Sequence, residues 1–222
     1  MFHLSGHRKD CKSAKVGENT NVCSNYIRNL INLGIIRKET PYGEKESKKS
    51  IYSIEDNMFY FGYRFVLDNS SVIVRGAVEL VYKRIEPQFS DYMGRVFEEI
   101  CKQYLWKQLL MGKAPIDFIS LGRWWGNDPR QKKQTEIDIM GEQDKQSALF
   151  AECKWRNEKL DLEILETLIS RSQLFLHRNV HYYLFSKSGF TKSCIDKAKE
   201  LGNVSLVSFG DIISSIKENK ML

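Results

Sequence analysis

The sequence lacks the features that mark exported and membrane proteins. Its five cysteines, at positions 11, 23, 101, 153 and 194, are odd in number and form no C-x-x-C pair, so neither a disulfide framework nor a zinc knuckle is encoded. No apolar stretch approaches the roughly 18 residues of a membrane span. Residues 1–10 also lack the apolar core of a signal peptide. We therefore expect a cytoplasmic protein without a membrane partner.

Proline and phosphate-binding glycine motifs are also scarce. Four prolines and no internal repeat give no sign of a flexible linker. The motif G-x-x-x-x-G-K-[ST] is absent, so ATP hydrolysis cannot be assigned to this chain. Hydrophobic residues make up 42% of the 222 residues, which is enough for a buried core and excludes the disordered and collagen-like classes.

Most of the excess positive charge lies near the N-terminus. The 34 Lys and Arg against 28 Asp and Glu give a net charge of +6. Residues 1–50 hold ten of these cations against five anions, a net charge of +5, whereas residues 51–222 hold 24 against 23, a net charge of +1. A basic module joined to a larger, balanced domain is the simplest interpretation, and such a module most often binds nucleic acid. A solvated basic surface is the alternative.

Residues 1–55 follow the element order of a winged helix that is incomplete at its beginning. A short helix at 12–16 precedes a helix capped by Thr20 and stopped by Gly34, and two strands at 35–40 and 50–54 flank a charged turn. The outward helix face and the turn carry side chains suited to phosphate and base contacts, namely Ser24, Asn25, Arg28, Lys48 and Lys49. A protein-interaction role is the alternative. Residues 56–88 form an aromatic helical connector.

Residues 89–222 predict an α/β domain. Helices are expected at 92–110, 160–177 and 192–201 and at the C-terminus, and strands at 116–124, 135–140, 147–155, 180–186 and 204–209. The three adjacent strands suggest an antiparallel meander, and the later alternation suggests parallel crossovers. We therefore expect a mixed sheet flanked by helices on both faces.

Charged residues share one face of two neighbouring strands. Because strand side chains alternate, Asp138 points away from Ile137 and Ile139, and Glu152 and Lys154 point away from their apolar neighbours. Two carboxylates and an ammonium can thus converge, and phosphodiester hydrolysis needs carboxylates for a hard cation and a positive group near the attacking water. The alternative is a hairpin whose polar face lies in water, with Glu152 and Lys154 as ordinary surface charges.

Three motifs resemble the signature elements of the PD-(D/E)XK nuclease superfamily, in the order of that family. They are G-R-V-F-E at 94–98, T-E-I-D-I at 135–139 and A-E-C-K-W at 151–155. More narrowly, most of the chain is similar to the C-terminal part of the archaeal and bacterial DEXX-box ATPase family, in which a winged helix precedes a nuclease-like domain of unknown function. The strings that carry this similarity are N-L-I-N-L-G-I-I-R-K, F-Y-F-G-Y-R-F-V, L-G-R-W-W-G, A-E-C-K-W and Y-Y-L-F-S-K-S-G-F.

The resemblance implies a restriction-endonuclease-like fold preceded by a partial winged helix. Members of the ATPase family carry an N-terminal P-loop module that this sequence lacks. We therefore expect a truncated gene or a fragment, with the ATPase as part of a longer relative or as a separate partner.

Carried onto this sequence, the resemblance implies that Asp138 and Glu152 bind Mg²⁺ or Mn²⁺ with help from the Cys153 carbonyl. Lys154 would orient the water and offset charge on the phosphate, and Glu98 would steady the metal from its helix. Four cations near the second strand are candidates for neutralising DNA phosphates, with a solvated loop as the alternative: Arg123, Arg130, Lys132 and Lys133.

Two functions of different class follow. The first is a metal-dependent nuclease that cuts DNA, with the winged helix as its docking module. The second is a catalytically silent nuclease-like scaffold that serves as a DNA-binding or regulatory module of a DEXX-box-type ATPase. The presence of Asp138, Glu152 and Lys154 together favours the nuclease, because an abandoned site tends to lose its clustered charges.

Overall fold

The computed structural model describes residues 20–45 and 47–218, which fall into two compact units, Met1–Pro87 and Gln88–Leu222. The short helix expected at 12–16 lies outside the described residues. No helix in the described part of the chain is both long and apolar enough to cross a membrane. The functional assignments of the two units remain predictions.

The first unit begins with a helix and a two-stranded antiparallel sheet. Helix α1 (Thr20–Asn32) ends before Gly34, whose φ of +68° favours glycine. Strands β1 (Ile36–Glu39) and β2 (Ile51–Ile54) then pair in register from Ile36 opposite Ile54. The predicted helix and strand pair are thus confirmed, whereas their identity as a winged helix remains a prediction.

The aromatic connector folds as several short helical segments. They are α2 (Asn57–Phe61), a π-helical turn (Gly62–Val66), a 3₁₀ turn (Leu67–Asn69) and α3 (Ser70–Val74). The Asp56 carboxylate caps α2 by accepting the backbone N–H groups of Met58 and Phe59 at 2.7 and 2.9 Å.

Helix α4 (Val78–Leu110) is longer than the helix predicted at 92–110. It contains Pro87, whose missing N–H and bulky ring usually interrupt a helix. The sequence prediction was therefore wrong about where this helix begins, although its C-terminal end is confirmed.

The second unit is built on a five-stranded mixed sheet with the strand order β3-β4-β5-β6-β7. Its strands are β3 (Leu121–Asp128), β4 (Lys133–Glu142), β5 (Ser147–Lys154), β6 (Asn179–Ser186) and β7 (Val204–Ser208). The first three strands pair antiparallel and the last three pair parallel. The crossovers are α5 (Leu162–Ser172) and α6 (Lys192–Leu201), and the closing helix is α7 (Phe209–Glu218). The predicted mixed sheet is confirmed.

Strand β3 begins five residues later than the sequence predicts. Ile116 and Phe118 alternate with polar residues as in a strand, but they are buried in an irregular segment that packs into the core. The strand instead extends to Asp128, because its last residues pair with Lys133 and its neighbours across a tight hairpin. Apolar alternation over a few residues cannot distinguish these two arrangements.

One face of the sheet packs against α4. Phe97 and Cys101 from this helix are fully buried against Ala151 and Cys153 of β5, in a core that also includes Phe185 of β6. Residues of β5 that alternate with these must point to the opposite face, where α5 packs. The central strand is therefore covered on both sides, as parallel sheets require.

We expect the packing of α5 to contribute substantially to the stability of the second unit. Leu168 is completely buried, so Leu168→Ala should lower the free energy of unfolding by about 2–5 kcal/mol. Leu176→Ala makes the same chemical change at a side chain that is 94% exposed and should have little effect. Urea unfolding of both variants measures the difference, and equal effects would contradict this account of the core.

Candidate functional site

The site begins where the ladder between β4 and β5 ends. Ile139 and Ala151 form the last paired positions of this ladder, and the next residue on each side is Asp138 or Glu152. The Asp138 Oδ2 accepts a 2.8 Å hydrogen bond from the backbone N–H of Cys153. Beyond the end of the ladder, the Asp138 carboxylate thus accepts a backbone N–H of β5 in place of a backbone carbonyl, which puts this carboxylate between the two strands.

Both carboxylates at this position are buried. Asp138 is 4% exposed and Glu152 is 5% exposed. The alternative in which Glu152 was an ordinary surface charge on a solvated hairpin is therefore wrong, because α5 covers that face of β5. A buried carboxylate needs ionic or hydrogen-bonding partners to remain charged.

Lys154 lies between the two carboxylates. Its Nζ is 2.6 Å from Glu152 Oε1 and 3.5 Å from Asp138 Oδ2. These two oxygens therefore lie at most 6.1 Å apart, the sum of the two distances. The alternation of residues 135–155 thus correctly predicts that the three side chains converge.

The charges in this cluster shift one another's pKa values. Burial raises the pKa of Glu152, the nearby negative charge of Asp138 raises it further, and Lys154 and Arg171 oppose the shift. Burial alone would lower the pKa of Lys154, but the two carboxylates and the hydrogen bond to Glu152 raise it above its ordinary value. Lys154 is therefore a stable cation at neutral pH.

Glu98 joins the cluster from helix α4. Burial, followed by the negative charge of Asp138, raises the pKa of Glu98 to about 8, while Arg123 and Lys102 act in the opposite direction. Glu98 therefore holds a proton at neutral pH in the protein without metal. The predicted helix carboxylate is thus close enough to sense Asp138, but it is neutral rather than charged.

Arg171 is a residue of the site that the sequence analysis missed. Its Nη1 lies 3.2 Å from Glu152 Oε2 and 3.3 Å from Oε1, and it donates a 2.9 Å hydrogen bond to the backbone carbonyl of Glu136. It therefore ties α5 to both strands of the site. The only sequence signal was a lone arginine within the helix predicted at 160–177, and helical spacing does not reveal which strand it faces.

The candidate phosphate-binding cations of the β3–β4 hairpin have different environments. Arg123 forms an ion pair with Glu136. Arg130 is held by the buried Asp128 at 3.2 Å and donates to the Ser170 carbonyl at 2.8 Å, so it fastens the hairpin to α5. The other two, Lys132 and Lys133, are exposed.

The candidate DNA-binding residues of the first unit are all exposed. Ser24, Asn25 and Arg28 lie on α1, and Lys48 and Lys49 lie between β1 and β2. Lys49 is also 3.7 Å from Glu44. Their exposure is compatible with a nucleic-acid contact and equally with a solvated surface.

The donor set of the cluster fits a hard divalent cation. Within residues 20–45 and 47–218, no three His, Cys, Asp or Glu side chains are grouped as a ready-made metal cage. Magnesium does not need such a cage, because it is usually held by one or two carboxylates together with water and substrate phosphates. Asp138 and Glu152 meet that lesser requirement. Burial and then the negative charge of Asp138 raise the pKa of Glu152, and a bound cation would offset the second of these effects.

Cys153 takes no part through its thiol. The side chain is buried on the α4 side of the sheet, and burial together with its hydrogen bond to the Cys101 side chain holds the pKa of the thiol well above its ordinary value. A neutral, inaccessible thiol is not a nucleophile.

The raised pKa of Glu98 should make the stability of the metal-free protein depend on pH. A carboxyl whose pKa is raised from 4.5 to about 8 by folding stabilises the folded state at low pH and loses that contribution as the pH rises through about 8. In EDTA, this contribution is lost progressively between about pH 4.5 and pH 8, so the free energy of unfolding should fall more steeply across this range in the wild type than in Glu98→Gln.

Urea unfolding at several pH values measures this difference. Glu79→Gln, which changes an exposed glutamate on the same helix, should retain the wild-type dependence on pH. Equal slopes for the wild type and Glu98→Gln would contradict the proposed protonation of Glu98.

Comparison with known families and proteins finds relatives of unknown function. Residues 62–165 match the profile of the DUF234 family, described as archaeal and bacterial proteins of unknown function. An uncharacterized protein of Methanocaldococcus jannaschii, MJECL04, is 35% identical over 136 residues, which cover 60% of this chain and 29% of that protein. The chain thus spans less than a third of the length of this relative.

Two solved structures show weak similarity. AF1548, a protein of unknown function, gives a TM-score of 0.36 at 17% identity, with 53% of this chain and 67% of that chain covered. The DNA modification-dependent restriction endonuclease AspBHI gives a TM-score of 0.33 at 18% identity, with 66% of this chain and 35% of that chain covered. With TM-scores below 0.5, neither structure carries a functional argument. The family profile and the sequence relative both describe proteins whose function is unknown.

Proposed function

We propose that the second unit hydrolyses DNA phosphodiester bonds with the aid of Mg²⁺ or Mn²⁺. The observation that carries this proposal is the position of Lys154, 2.6 Å from Glu152 and 3.5 Å from Asp138, at a site where both carboxylates are buried. Clustered carboxylates beside a fixed cation are suited to holding a metal ion and a phosphate together. Buried charges with strongly shifted pKa values are also more frequent at functional sites than elsewhere.

The carboxylates have distinct roles in this proposal. Asp138 and Glu152 would hold the ion, with the Cys153 carbonyl as a further oxygen ligand. When bound, the ion supplies Lewis-acid polarisation of the phosphate and activation of the attacking water. Glu98 would help to hold the ion after losing its proton. A bound cation would favour this deprotonation, because it offsets the negative charge of Asp138.

Lys154 would act as a fixed positive charge rather than as a proton acceptor. Its pKa is raised by the neighbouring carboxylates, so the ammonium keeps its proton at neutral pH. It would bind a non-bridging phosphate oxygen and stabilise the charge that develops there as the water attacks. Arg171 would orient Glu152 and keep it ionised, because it contacts both oxygens of that carboxylate.

The first unit would dock the DNA. This part of the proposal is supported by the net charge of +5 in residues 1–50 and by the exposure of Arg28 on α1 and of Lys48 and Lys49 between the strands. Contacts of this type bind the phosphate backbone and position the duplex without reading its sequence.

A catalytically silent scaffold is the second candidate. Glu152 already has two cationic partners, Lys154 and Arg171, and a fully paired network of this kind can be purely structural. In that case the chain would serve as a DNA-binding or regulatory module of a DEXX-box-type ATPase. A protein that binds DNA but never cuts it would support this second function.

The nuclease proposal predicts slow, metal-dependent cutting of DNA. With Mg²⁺ or Mn²⁺ the protein should cleave plasmid or oligonucleotide DNA, and Asp138→Ala or Lys154→Ala should each reduce the rate by about 100-fold or more. DNA affinity should remain close to that of the wild type, because the first unit is proposed to dock the duplex and Lys154 contributes at most one phosphate contact. Gel-based cleavage and fluorescence anisotropy measure the two quantities.

Matched variants distinguish loss of chemistry from general loss of charge. Asp196→Ala and Lys145→Ala change exposed residues of the same types and should leave cutting unchanged. EDTA should abolish the activity. Cleavage that persists in both Asp138→Ala and Lys154→Ala would indicate a contaminating nuclease, and absence of cleavage of duplex, single-stranded and branched DNA would favour the scaffold.

The docking role predicts a salt-dependent decrease in affinity when the basic residues of the first unit are neutralised. The triple variant Arg28→Gln, Lys48→Gln, Lys49→Gln should bind duplex DNA more weakly, and its plot of log affinity against log salt should be shallower by about 0.9 for each DNA phosphate that the protein no longer neutralises. The control variant Lys83→Gln, Lys199→Gln, Lys217→Gln removes the same charge from other exposed positions. Equally weakened binding in the two variants would show that net charge, not this surface, sets the affinity.

A further inference from the structure

A cleft of about 340 Å³ opens between β4 and α5 in the second unit. Its lining includes Lys133 and Thr135 from the strand and Glu163, Glu166, Thr167 and Arg171 from the helix. The volume lies at the lower end of the roughly 300–1,000 Å³ range of small-molecule sites. It is therefore suited to a ligand of the size of one nucleotide and too small for a base pair.

The lining offers groups that complement the phosphate and the base of a nucleotide. Lys133 and Arg171 are cations that can bind a phosphate, and the guanidinium matches phosphate oxygens in a bidentate manner. Glu163 and Glu166 are acceptors for the exocyclic amino group of a base, a contact that carboxylates make with cytosine in DNA complexes. A site for a simple anion would not need these two carboxylates, which repel one.

Arg171 connects this cleft to the carboxylate cluster. Its Nη1 contacts Glu152 at 3.2 Å, and the same side chain lines the cleft. A guanidinium carries five N–H donors, so it can bind a ligand phosphate while it continues to hold Glu152. A nucleotide in the cleft would thus be attached to the same side chain that orients Glu152.

We propose that this cleft binds one unpaired nucleotide of the DNA strand that is cut. The phosphate would contact Lys133 and Arg171, and the base would contact Glu163 or Glu166. This inference rests on the nuclease function proposed above and narrows its substrate. DNA with an overhang, a frayed end or a single-stranded segment can supply such a nucleotide, whereas a continuous blunt duplex cannot.

Binding of deoxynucleoside monophosphates to the metal-free protein tests the cleft directly. Calorimetric titration in EDTA should show saturable binding of dCMP, and weaker binding of both dTMP, which lacks the amino group, and inorganic phosphate. Lys133→Gln should weaken dCMP binding by about tenfold, because a hydrogen bond to a charged group is removed. Lys145→Gln removes the same charge from an exposed residue outside the lining and should bind dCMP as the wild type does.

Three results would overturn the proposal. They are the absence of saturable dCMP binding, equal affinities for dCMP, dTMP and phosphate, and equally weakened dCMP binding in Lys133→Gln and Lys145→Gln. Since no metal is present and no bond is cut in these titrations, they fail or succeed independently of the nuclease assay. Cleavage of an overhang duplex in preference to its blunt counterpart, with the preference abolished in Lys133→Gln, would further support the cleft.

Discussion

Two like charges buried side by side dominate the physical chemistry of the second unit. Asp138 and Glu152 repel each other, and burial removes their hydration. Both effects raise the free energy of the charged carboxylates, so each depends on partners that the fold places beside it. Lys154 forms ion pairs with both carboxylates. The Cys153 N–H donates a hydrogen bond to Asp138, and Arg171 donates one to Glu152. Removal of one partner from a buried ion pair typically costs about 3–5 kcal/mol, because the remaining charge stays buried.

The architecture of the sheet supplies these partners from different directions. The central strand β5 carries apolar residues toward α4 and Glu152 toward α5, so one strand contributes to the core and to the site at once. The neighbouring β4 departs from the ladder at Asp138, which frees this carboxylate for the Cys153 N–H. The rigidity of the packed face therefore determines how accurately the polar face is aligned.

Much of this arrangement follows from the sequence, and its failures have specific causes. The alternation in residues 135–155 is enough to predict the strands and the convergence of Asp138, Glu152 and Lys154. It does not predict the burial of Asp138 and Glu152, because a polar strand face can meet water or a polar helix face with the same pattern. Arg171 escapes prediction for the same reason, since its role depends on the rotation of α5 about its axis.

The errors in the fold are equally local. Ile116 and Phe118 alternate with polar residues as in a strand, but they lie in an irregular buried segment. Pro87 lies inside a helix, although a proline usually ends one. At Ile116 and Phe118 tertiary packing overrides the local preference of the chain, whereas the described residues offer no packing explanation for the helix at Pro87. The mixed character of the sheet was predictable, because it depends on the order of the elements along the chain rather than on their exact ends.

The antiparallel meander also determines when the site can form during folding. Asp138, Glu152 and Lys154 lie on one hairpin, joined by the turn between β4 and β5, so they can meet before the parallel strands β6 and β7 are added. Contacts between residues close in sequence form faster than those that must close long loops. We therefore expect the central part of the site to form early in folding, and Arg171, which the crossover helix supplies, to complete its charge balance when the parallel half of the sheet assembles.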